Sequence, residues 1–342
     1  MEQYIGLDVS LKETHICVVD GSGAVVARGR EVTQPELLAA AIGKLAPSVD
    51  LAVLETGGQS SWLQRELAER GVPAVIVDAR RAKAALSCRL NKTDANDAEG
   101  LAQLARTGWY RKVAAKRPQT RLARSLLLAR QQLVKQRRDL ENQVRALLRG
   151  FGLAVGQVAR NRFEERVWEL VAREPQLEDA VGPLMTVRRS LYLHIKELES
   201  RISVRTGACD VCRRLMSVPG VGPMTALAFT TAIDDAGRFA KSSSVGSYLG
   251  LTPRRHQSGE ADWSGRISKH GDALARHMLY EAANSLLSRV RRWSAPKAWG
   301  ARLVKKVGPR KARVALARKL AVILHRIWVD GTEFRWTREV AA

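Results

Sequence analysis

Four acidic residues in a strongly basic chain occupy positions where carboxylates could bind divalent cations. Asp8 lies in the apolar segment "YIGLDV", Glu55 ends "LAVLE", and Asp94 and Asp97 stand three residues apart in "DANDA", shortly after Lys92. Acids at this spacing share one helix face and repel each other. Carboxylates around two Mg²⁺ or Mn²⁺ ions about 4 Å apart form a site for phosphodiester cleavage. Taken alone, Asp94 also fits a helix N-cap and Asp97 a favourable first-turn acid.

A serine in a basic segment is the second candidate for chemistry. Ser258 lies in "HQSG", and it is preceded by three side chains that could hold a scissile phosphate, namely Arg254, Arg255 and His256. A serine hydroxyl becomes an effective nucleophile only beside a base, a metal ion or cations. The same letters also fit a Ser-Gly turn in a basic loop, which the spacing alone favours. The rival serines are Ser264, Ser268 and the run at 242–244.

The elements that must position the acids form an alternating pattern over the first 107 residues. Apolar runs predict strands at 4–9, 15–20, 24–32, 50–56 and 73–79, and apolar periodicity predicts helices at 35–46, 60–71 and 94–107. The letters "GSG" indicate a hairpin turn between the second and third strands. Three hairpin strands followed by alternating helices and strands predict an α/β domain of the ribonuclease-H type.

In such a sheet the acids have a defined meeting point. Ligands of α/β sheets bind at the carboxyl ends of the strands, where Asp8 and Glu55 are placed. We expect the first strand and the strand at 50–56 to be neighbours, which would bring these two carboxylates together. The helix at 94–107 then needs only to place its N-terminal turn over the same edge to add Asp94 and Asp97.

Beyond Pro118 the chain is predicted to be helical. Leucines recur every seven residues along one long helix, which fits a coiled-coil seam and one helix of an intramolecular bundle equally well. These leucines are Leu126, Leu133, Leu140 and Leu147. A second amphipathic helix could pack back on the first through Val187, Leu191, Ile195, Leu198 and Ile202. The chain is therefore divided into an α/β domain at 1–115, a helical, coiled-coil region at 116–205 and a helical domain at 206–342.

The last region opens with a helix–turn–helix pattern in "LMSVPGVGPMTALAFTTAI". Its turn contains Gly220 and Gly222, where backbone N–H groups could approach a phosphate closely. This pattern predicts a helix-hairpin-helix that contacts DNA without reading its sequence, although a corner between two helices looks identical. Five tryptophans farther along could stack on unpaired bases or belong to the core. They are Trp263, Trp293, Trp299, Trp328 and Trp336.

The charge of the chain predicts a polyanionic partner. It carries 57 Lys and Arg against 34 Asp and Glu, a formal net charge of +23. The excess is concentrated, because residues 1–79 hold 6 basic and 11 acidic residues, whereas 80–149 hold 18 and 5 and 266–319 hold 15 and 2. Blocks of one sign favour nucleic acid over a solvated helix face, which would mix the signs.

The sequence does not support a membrane protein or a disulfide-rich protein. No apolar run reaches the roughly 20 residues needed to cross a bilayer, and the first residues do not resemble a signal peptide. We therefore expect a cytoplasmic protein without a membrane partner. The cysteines at 17, 88, 209 and 212 lack the further ligands of a zinc site, and we expect reduced thiols.

The motifs that carry the acids resemble the signature of one family of insertion-sequence transposases. "GLDVS" with Asp8, "LETGG" with Glu55 and "KTDANDA" with Asp94 and Asp97 are similar to the DEDD motif of the IS110 family, relatives of the Piv invertase with a RuvC-like N-terminal domain. The later segments "SVPGVGPMTA", "LGLTPRRHQSG" and "GRISKHGD" are similar too. The resemblance runs in order over nearly the whole chain.

This resemblance implies a recombinase in which a RuvC-like metal site works with a serine of the C-terminal transposase domain. Ser258 matches the family's nucleophile, and we expect Arg266 and Lys269 of "GRISKHGD" to bind nucleic acid. A structured non-coding RNA from the element would guide double-stranded donor and target DNA by base pairing. We expect a nucleoid-associated homodimer or homotetramer that uses two Mg²⁺ or Mn²⁺ ions.

Three other functions are left open by the residues themselves. A RuvC-like, structure-specific nuclease would use the metal site with water and ignore Ser258. An actin-like sugar kinase would also begin with "GLDVS" and a hairpin, but it would need a late Gly-rich phosphate loop and a near-neutral surface. A non-catalytic DNA-binding protein would leave the four acids without a role.

Overall fold

The computed structural model describes residues 2–87 and 93–336, so Cys88 and Lys92 lie outside the described part. The chain divides after Arg117 into two compact units, each with its own core. The regions predicted at 116–205 and 206–342 fall almost entirely within the second unit. Among the described residues, no helix combines the length and the apolar composition needed to span a bilayer.

The first unit is a six-stranded mixed sheet with helices on both faces. Its elements are β1 (Gln3–Val9), β2 (Glu13–Asp20), β3 (Val25–Val32), α1 (Pro35–Leu45), β4 (Val49–Glu55), α2 (Ser60–Glu69), β5 (Ala74–Val77), α3 (Ala79–Ala85), α4 (Asp94–Thr107) and β6 (Lys112–Val113). The strand order is β3-β2-β1-β4-β5-β6, with β1 antiparallel to β2 and parallel to β4. The mixed α/β architecture and the pairing of β1 with β4 are confirmed.

Side-chain alternation along the strands divides the core of the first unit between the two faces of the sheet. Leu7 of β1 and Leu54 of β4 pack on one face against α1 and α2. Val53 of β4 packs on the other face, against α4. Gly6 of β1 also faces α4, and a Cβ atom there would lie 1.9 Å from the carbonyl oxygen of Ala98. The missing side chain at residue 6 therefore allows α4 to lie directly on β1.

Helix α4 has the predicted bounds, but its N-cap differs from the prediction. The N-cap is Thr93, whose Oγ1 accepts a hydrogen bond from the backbone N–H of Asn96 at 3.2 Å. Asp94 is the first helical residue, where its charge favours the helix dipole. Helix α3 and strand β6 were not predicted. Helix α3 has no regular apolar spacing and depends on Asp78, whose carboxylate accepts two backbone N–H groups of its first turn.

The second unit is helical apart from one pair of strands. Its elements are α5 (Pro118–Gly150), α6 (Phe163–Val171), α7 (Glu178–Gly207), α8 (Asp210–Met216), α9 (Pro223–Ile233), α10 (Ser244–Tyr248), β7 (Pro253–Ser258), β8 (Ala261–Ile267), α11 (Ala273–Ser288), α12 (Ala295–Val307) and α13 (Pro309–Asp330). The main core joins α8, α9, α11 and α13. The helical character is as predicted, whereas β7 and β8 were missed because their exposed residues show no apolar alternation.

The leucines spaced by seven residues lie at the edge of an interface inside the chain. Helix α5 packs along α7, and its buried apolar residues include Leu127, Val144 and Leu148. The four leucines of the predicted seam are each only half-buried. An intramolecular bundle thus accounts for this apolar stripe, and a coiled coil between two chains stays a prediction.

Helix α7 packs back on α5 as predicted, but one of its five predicted apolar residues does not belong to the buried face. Ile195 is buried, whereas Val187 is 50% exposed. Arg188 takes the buried position, because its Nε lies 3.0 Å from Oε1 of Glu141 and its guanidinium lies 4.8 Å from the ring centroid of Phe163. A buried arginine is tolerated where such partners satisfy it, and apolar periodicity does not reveal those partners.

Candidate active site and nucleic-acid-binding elements

The carboxyl ends of β1 and β4 bring two of the predicted acids together. Gly6 pairs with Val53 in parallel register, so Asp8 and Glu55 follow side by side on the face that α4 covers. Both acids are half-buried and line one cavity of about 320 Å³, together with residues 9–11 and 56–60. This edge is therefore the candidate metal-binding edge of the sheet.

The other two predicted acids lie in the first turn of α4. Asp94 is exposed and Asp97 is half-buried. Within residues 2–87 and 93–336, no three His, Cys, Asp or Glu side chains are grouped closely enough to hold a metal ion as they stand. Carboxylate oxygens are the donors that Mg²⁺ prefers, so the chemistry of the set fits such an ion. The fold places the four acids on three neighbouring elements, β1, β4 and α4, without gathering three of their side chains around one point.

His15 belongs to the same edge and was not predicted from the sequence. It pairs with Asp8 across β1 and β2, and its Nε2 atom lies 3.7 Å from Oδ2 of Asp94. The imidazole thus connects the strand that carries one acid with the helix that carries another. A signal was available, because the three-residue turn at 10–12 sets the hairpin register and places residue 15 opposite residue 8.

The predicted nucleophile lies at the tip of the β7–β8 hairpin. Ser258 is the last residue of β7 and pairs with Ala261 across a turn formed by Gly259 and Glu260. Gly259 has a φ of 55°, and a Cβ atom there would meet no atom within 4 Å. Every residue of β7 is exposed. The turn interpretation of these letters is therefore correct, and it leaves the serine hydroxyl accessible to a phosphodiester.

Ordered side-chain pairs occupy both faces of this hairpin. Arg255 binds Asp262 through Nε to Oδ1 at 2.8 Å and Nη2 to Oδ2 at 2.5 Å, and this pairing lowers the pKa of the Asp262 carboxyl. On the other face the ring of His256 stacks on Trp263, with centroids 4.2 Å apart. Because His256 lies two residues before Ser258 on one strand, the stacked pair and the hydroxyl share a face.

The rival serines have different surroundings. Ser242 Oγ lies 2.9 Å from Nδ1 of the buried His325, which ties it to α13. Ser264 pairs with Arg255 on the hairpin face opposite to the stacked pair. The carbonyl of Ser268 accepts a hydrogen bond from the exposed Arg254 at 3.4 Å. None of these three serines is placed at the tip of the hairpin.

The helix–turn–helix pattern is formed by α8, a turn and α9, but its two glycines differ. Gly220 has a φ of 88°, and a Cβ atom there would lie 2.5 Å from the carbonyl oxygen of Ala282 on α11. Packing therefore accounts for Gly220, and a phosphate is not needed to explain it. Gly222 is the N-cap of α9 and has open space beside it. The helix-hairpin-helix contact to DNA stays a prediction that concerns Gly222.

The last two predicted contacts to nucleic acid lie together. Arg266 of β8 and Lys269 just after it are exposed and line a groove of about 1090 Å³. Helices α12 and α13 form its other wall. Lys269 has a φ of 55°, and its backbone N–H donates to the carbonyl of Gly250 at 3.1 Å. The structure thus brings both cations to one surface.

The five C-terminal tryptophans differ in how far they are exposed. Trp263 and Trp293 are 57% and 62% exposed, respectively. Trp299 and Trp328 pack against the main core of the second unit, and Trp336 is half-buried. Stacking on unpaired bases is therefore open to Trp263 and Trp293, whereas the core interpretation describes Trp299 and Trp328.

The surroundings of the two cysteines in "CDVC" favour protonated thiols and not a metal site. Burial, with a smaller contribution from Cys209, raises the pKa of Cys212 to about 12. A thiol with such a pKa stays protonated near neutral pH, and the thiolate is the form that binds metal. Cys17 is a reduced, buried residue of β2.

Both halves of the chain match family models of transposases. Residues 5–152 match the DEDD transposase model of the IS110 type, and residues 212–300 match the model described as transposase IS116/IS110/IS902 family. The first match contains Asp8, Glu55, Asp94 and Asp97. The second contains the helix–turn–helix and the hairpin with Ser258.

Curated relatives align over most of the chain. The transposase for insertion sequence element IS1111A of Coxiella burnetii is 29% identical over 336 residues, covering 97% of this chain and 91% of that protein. A probable family 20 transposase of Pseudomonas aeruginosa is 29% identical over 337 residues, covering 97% and 98%. The transposase for IS1328 of Yersinia enterocolitica is 24% identical over 340 residues, covering 96% and 98%.

A DEDD-type α/β unit followed by a helical transposase unit defines a class of enzymes that cut and rejoin DNA. The chain belongs to the IS116/IS110/IS902 family of insertion-sequence transposases. The resemblance found in its sequence motifs is confirmed. The DEDD domain also indicates that a divalent metal ion takes part in the reaction.

Proposed function

We propose that this transposase cuts and rejoins DNA through a covalent phosphoserine at Ser258, with Asp8, Glu55, Asp94 and Asp97 as the metal-binding acids. The observation that carries the proposal is the shared cavity of Asp8 and Glu55 at the carboxyl edge of the sheet. The accessible position of Ser258 at a hairpin tip supports the covalent step. A RuvC-like nuclease, the alternative, would need the acids but not this serine.

The acids and the histidine beside them have distinct roles in this proposal. Bound Mg²⁺ or Mn²⁺, in a site for two ions, would withdraw negative charge from the oxygens of the scissile phosphate. Asp8 and Glu55, fixed on adjacent strands, would hold the ions from the sheet, and Asp94 and Asp97 from α4. His15 would orient the Asp94 carboxylate, as residues that support metal ligands do.

The covalent step exchanges one phosphate ester bond for another. Oγ of Ser258 attacks phosphorus and forms an O–P bond, while the bond to the 3′ oxygen breaks and the serine proton ends on the released 3′-OH. A 3′-OH of the partner DNA then attacks the phosphoserine and restores the serine hydroxyl. The number of ester bonds is unchanged, so no ATP is required. Arg254 and His256 are the nearby cationic and polar groups proposed to hold the phosphate.

The charge distribution supports nucleic-acid partners. Residues 266–319 alone hold 15 basic and 2 acidic residues. We infer double-stranded donor and target DNA as substrates and a structured, element-encoded non-coding RNA as their guide, on a nucleoid-associated homodimer or homotetramer. Sequencing the RNA that copurifies with the protein tests the guide. A uniform transcript from beside the gene supports it, and a random mixture of cellular RNA contradicts it.

A covalent adduct is the test of the serine chemistry. The protein is incubated with duplex DNA from the element end and Mg²⁺ and then denatured, and the labelled DNA that stays attached to protein is measured. We expect an adduct that is lost in Ser258→Ala and kept in Ser268→Ala, which alters a rival serine just after β8. An undiminished adduct in Ser258→Ala would remove this serine from the mechanism, and cleavage without any adduct would favour the nuclease.

A mixing experiment tests whether two copies of the chain build one active site. Asp8→Ala and Ser258→Ala chains are each expected to form no adduct alone. Recovery of the adduct in a mixture would support a composite site. No recovery, in a mixture whose oligomers are shown to contain both variants, would assign all five residues to one copy.

A further inference from the structure

The groove beside the hairpin concentrates positive charge. Residues 264–267 of β8 line one side, and α12 and α13 line the other. Six cationic side chains line it, namely Arg266, Lys269, Arg310, Lys311, Arg318 and Lys319. Among the described residues that form this groove there is no acidic side chain. An unbalanced set of cations favours a polyanionic occupant.

The cations at the start of α13 are not explained by the helix itself. Arg310 and Lys311 lie in its first turn, where no acidic residue is present. A helix N-terminus carries partial positive charge, so cations there are unfavourable and an anion is attracted. Lys305 and Lys306, in contrast, lie in the last turn of α12, where the dipole favours them. The helix dipole therefore accounts for Lys305 and Lys306. It does not account for Arg310 and Lys311, which an anionic ligand would explain.

The spacing of cations along α13 suits a strand of nucleic acid. Arg318 and Lys319 lie eight residues after Arg310 and Lys311, which is about 12 Å along the axis at 1.5 Å per residue. One strand of duplex DNA advances about 3.4 Å along the duplex axis per nucleotide and also winds around that axis, so the two pairs can contact phosphates of one strand within a few nucleotides of each other. The Nζ atom of Lys319 lies 4.4 Å from the ring centroid of Trp299, which orients this side chain.

The groove shares a strand with the hairpin that carries Ser258. Ala261 pairs with Ser258, and Ser264, three residues later on β8, lines the groove. At about 3.4 Å per residue, the groove begins about 10 Å from the serine. A DNA strand that reaches the hairpin tip can therefore continue into the groove. Helix α13 lies entirely beyond the residues 212–300 that match the family model.

We propose that this groove binds the phosphate backbone of the DNA strand that Ser258 attacks, beginning within a few nucleotides of the scissile phosphate. The inference rests on the proposed role of Ser258 and adds the site that holds its substrate. Cations that contact phosphates fix the register of a strand without reading its sequence. The groove therefore positions the strand and leaves the choice of sequence to other parts of the complex.

Two matched double variants test the groove. Arg310→Gln with Lys311→Gln removes two groove cations, and Lys305→Gln with Lys306→Gln removes two cations outside the groove. Binding of a fluorescent duplex of about 30 base pairs is measured by anisotropy between about 50 and 200 mM salt. The slope of log K against log salt is negative, and each lost phosphate contact reduces its magnitude by about 0.9. We therefore expect the magnitude of the slope to be smaller by about 2 in the groove variant alone.

The same two variants show whether a loss of binding comes from misfolding and whether the groove binds duplex DNA or RNA. The groove variant should melt no lower than the control variant, because its substitutions remove charges that oppose the dipole of α13. Equal slopes in the two variants would overturn the proposal. A groove variant that loses affinity for a structured RNA of similar length but not for the duplex would also overturn it and identify an RNA site.

The adduct assay distinguishes failure of the groove from failure of Ser258. If the groove variant has the same salt slope as the control and forms a normal adduct, the groove is not the DNA-binding site and the serine mechanism is unaffected. If the groove variant has a reduced slope and the adduct is undiminished in Ser258→Ala, the serine takes no part in the covalent step, and the groove is still a duplex-binding surface.

Discussion

The Nε2 atom of His15 lies 3.7 Å from Oδ2 of Asp94, which connects the β1–β2 hairpin to the first turn of α4. The same histidine stands opposite Asp8 in the hairpin register. One imidazole therefore flanks the acid of the strand while it contacts the acid of the helix. Residues in this position at metal sites orient the ligands and affect both metal affinity and rate.

We expect His15→Gln to lower the rate of DNA cleavage by about 10- to 100-fold, the range typical of residues that orient metal ligands. A titration of the cleavage rate with Mg²⁺ checks this, and the concentration for half-maximal rate should rise. Arg30→Gln alters the β3 residue paired with His15 and should leave both quantities unchanged. Equal losses in the two variants would assign the effect to the strand pairing and not to the contact with Asp94.

Gly6→Ala should lower the free energy of unfolding of the first unit by about 1–3 kcal/mol, the usual cost of overpacking. The added Cβ would lie 1.9 Å from the carbonyl oxygen of Ala98, so α4 would have to move away from β1. Urea unfolding measures the change. Gly43→Ala on α1, where no atom lies within 4 Å, should instead raise stability by about 0.5–1 kcal/mol. A Gly6→Ala protein of unchanged stability would contradict the close contact of α4 with β1.

Trp263→Ala should weaken binding of a single-stranded oligonucleotide by about tenfold, because stacking on an aromatic side chain contributes about 1–3 kcal/mol per base. One face of the ring stacks on His256, and the side chain is 57% exposed on the face that carries Ser258. Fluorescence anisotropy measures the affinity. Trp293→Ala removes a similarly exposed ring outside the hairpin, and a loss of the same size there would show that the hairpin has no special role.

Cys212 should resist alkylation in the folded protein. Burial is the chief cause that raises its pKa to about 12, so little thiolate is present in the folded state at about pH 8.5, the ordinary pKa of a thiol. Because the folded pKa is raised, the protonated thiol stabilises the fold below about pH 9, and this contribution is lost as pH rises toward 12. Iodoacetamide labelling followed by mass spectrometry should modify Cys212 only after urea unfolding. Rapid labelling of the native protein would contradict its burial.

The first unit was largely predictable because its strands carry regular apolar runs and its turns are short. The predicted helix at 94–107 has the bounds of α4, and β1 and β4 pair as expected. Because β1 and β4 are parallel neighbours, their carboxyl ends lie at the same edge of the sheet. The placement of Asp8 and Glu55 at that edge was therefore predictable. His15 was missed, although the same hairpin register places it opposite Asp8.

The second unit was less predictable because its informative contacts join residues far apart in the chain. Gly220 was expected to face a phosphate, and the structure packs it against Ala282. Arg188 was not among the residues predicted to be buried, and Glu141 and Phe163 satisfy it in the interior. Neither partner could be identified from helical periodicity, which reports apolar faces but not ion pairs between helices.

The amino-acid sequence by itself determined the family, the positions of the first five strands and the acids at the carboxyl ends of two of them, because short-range periodicity and motif spacing are properties of neighbouring residues. Only the tertiary structure decided that His15 contacts Asp94, that Ser258 stands at the tip of an exposed hairpin and that the cations of β8 and α13 face one groove. Those relationships depend on how elements pack across long separations in the chain, where the energies of many small contacts decide the geometry.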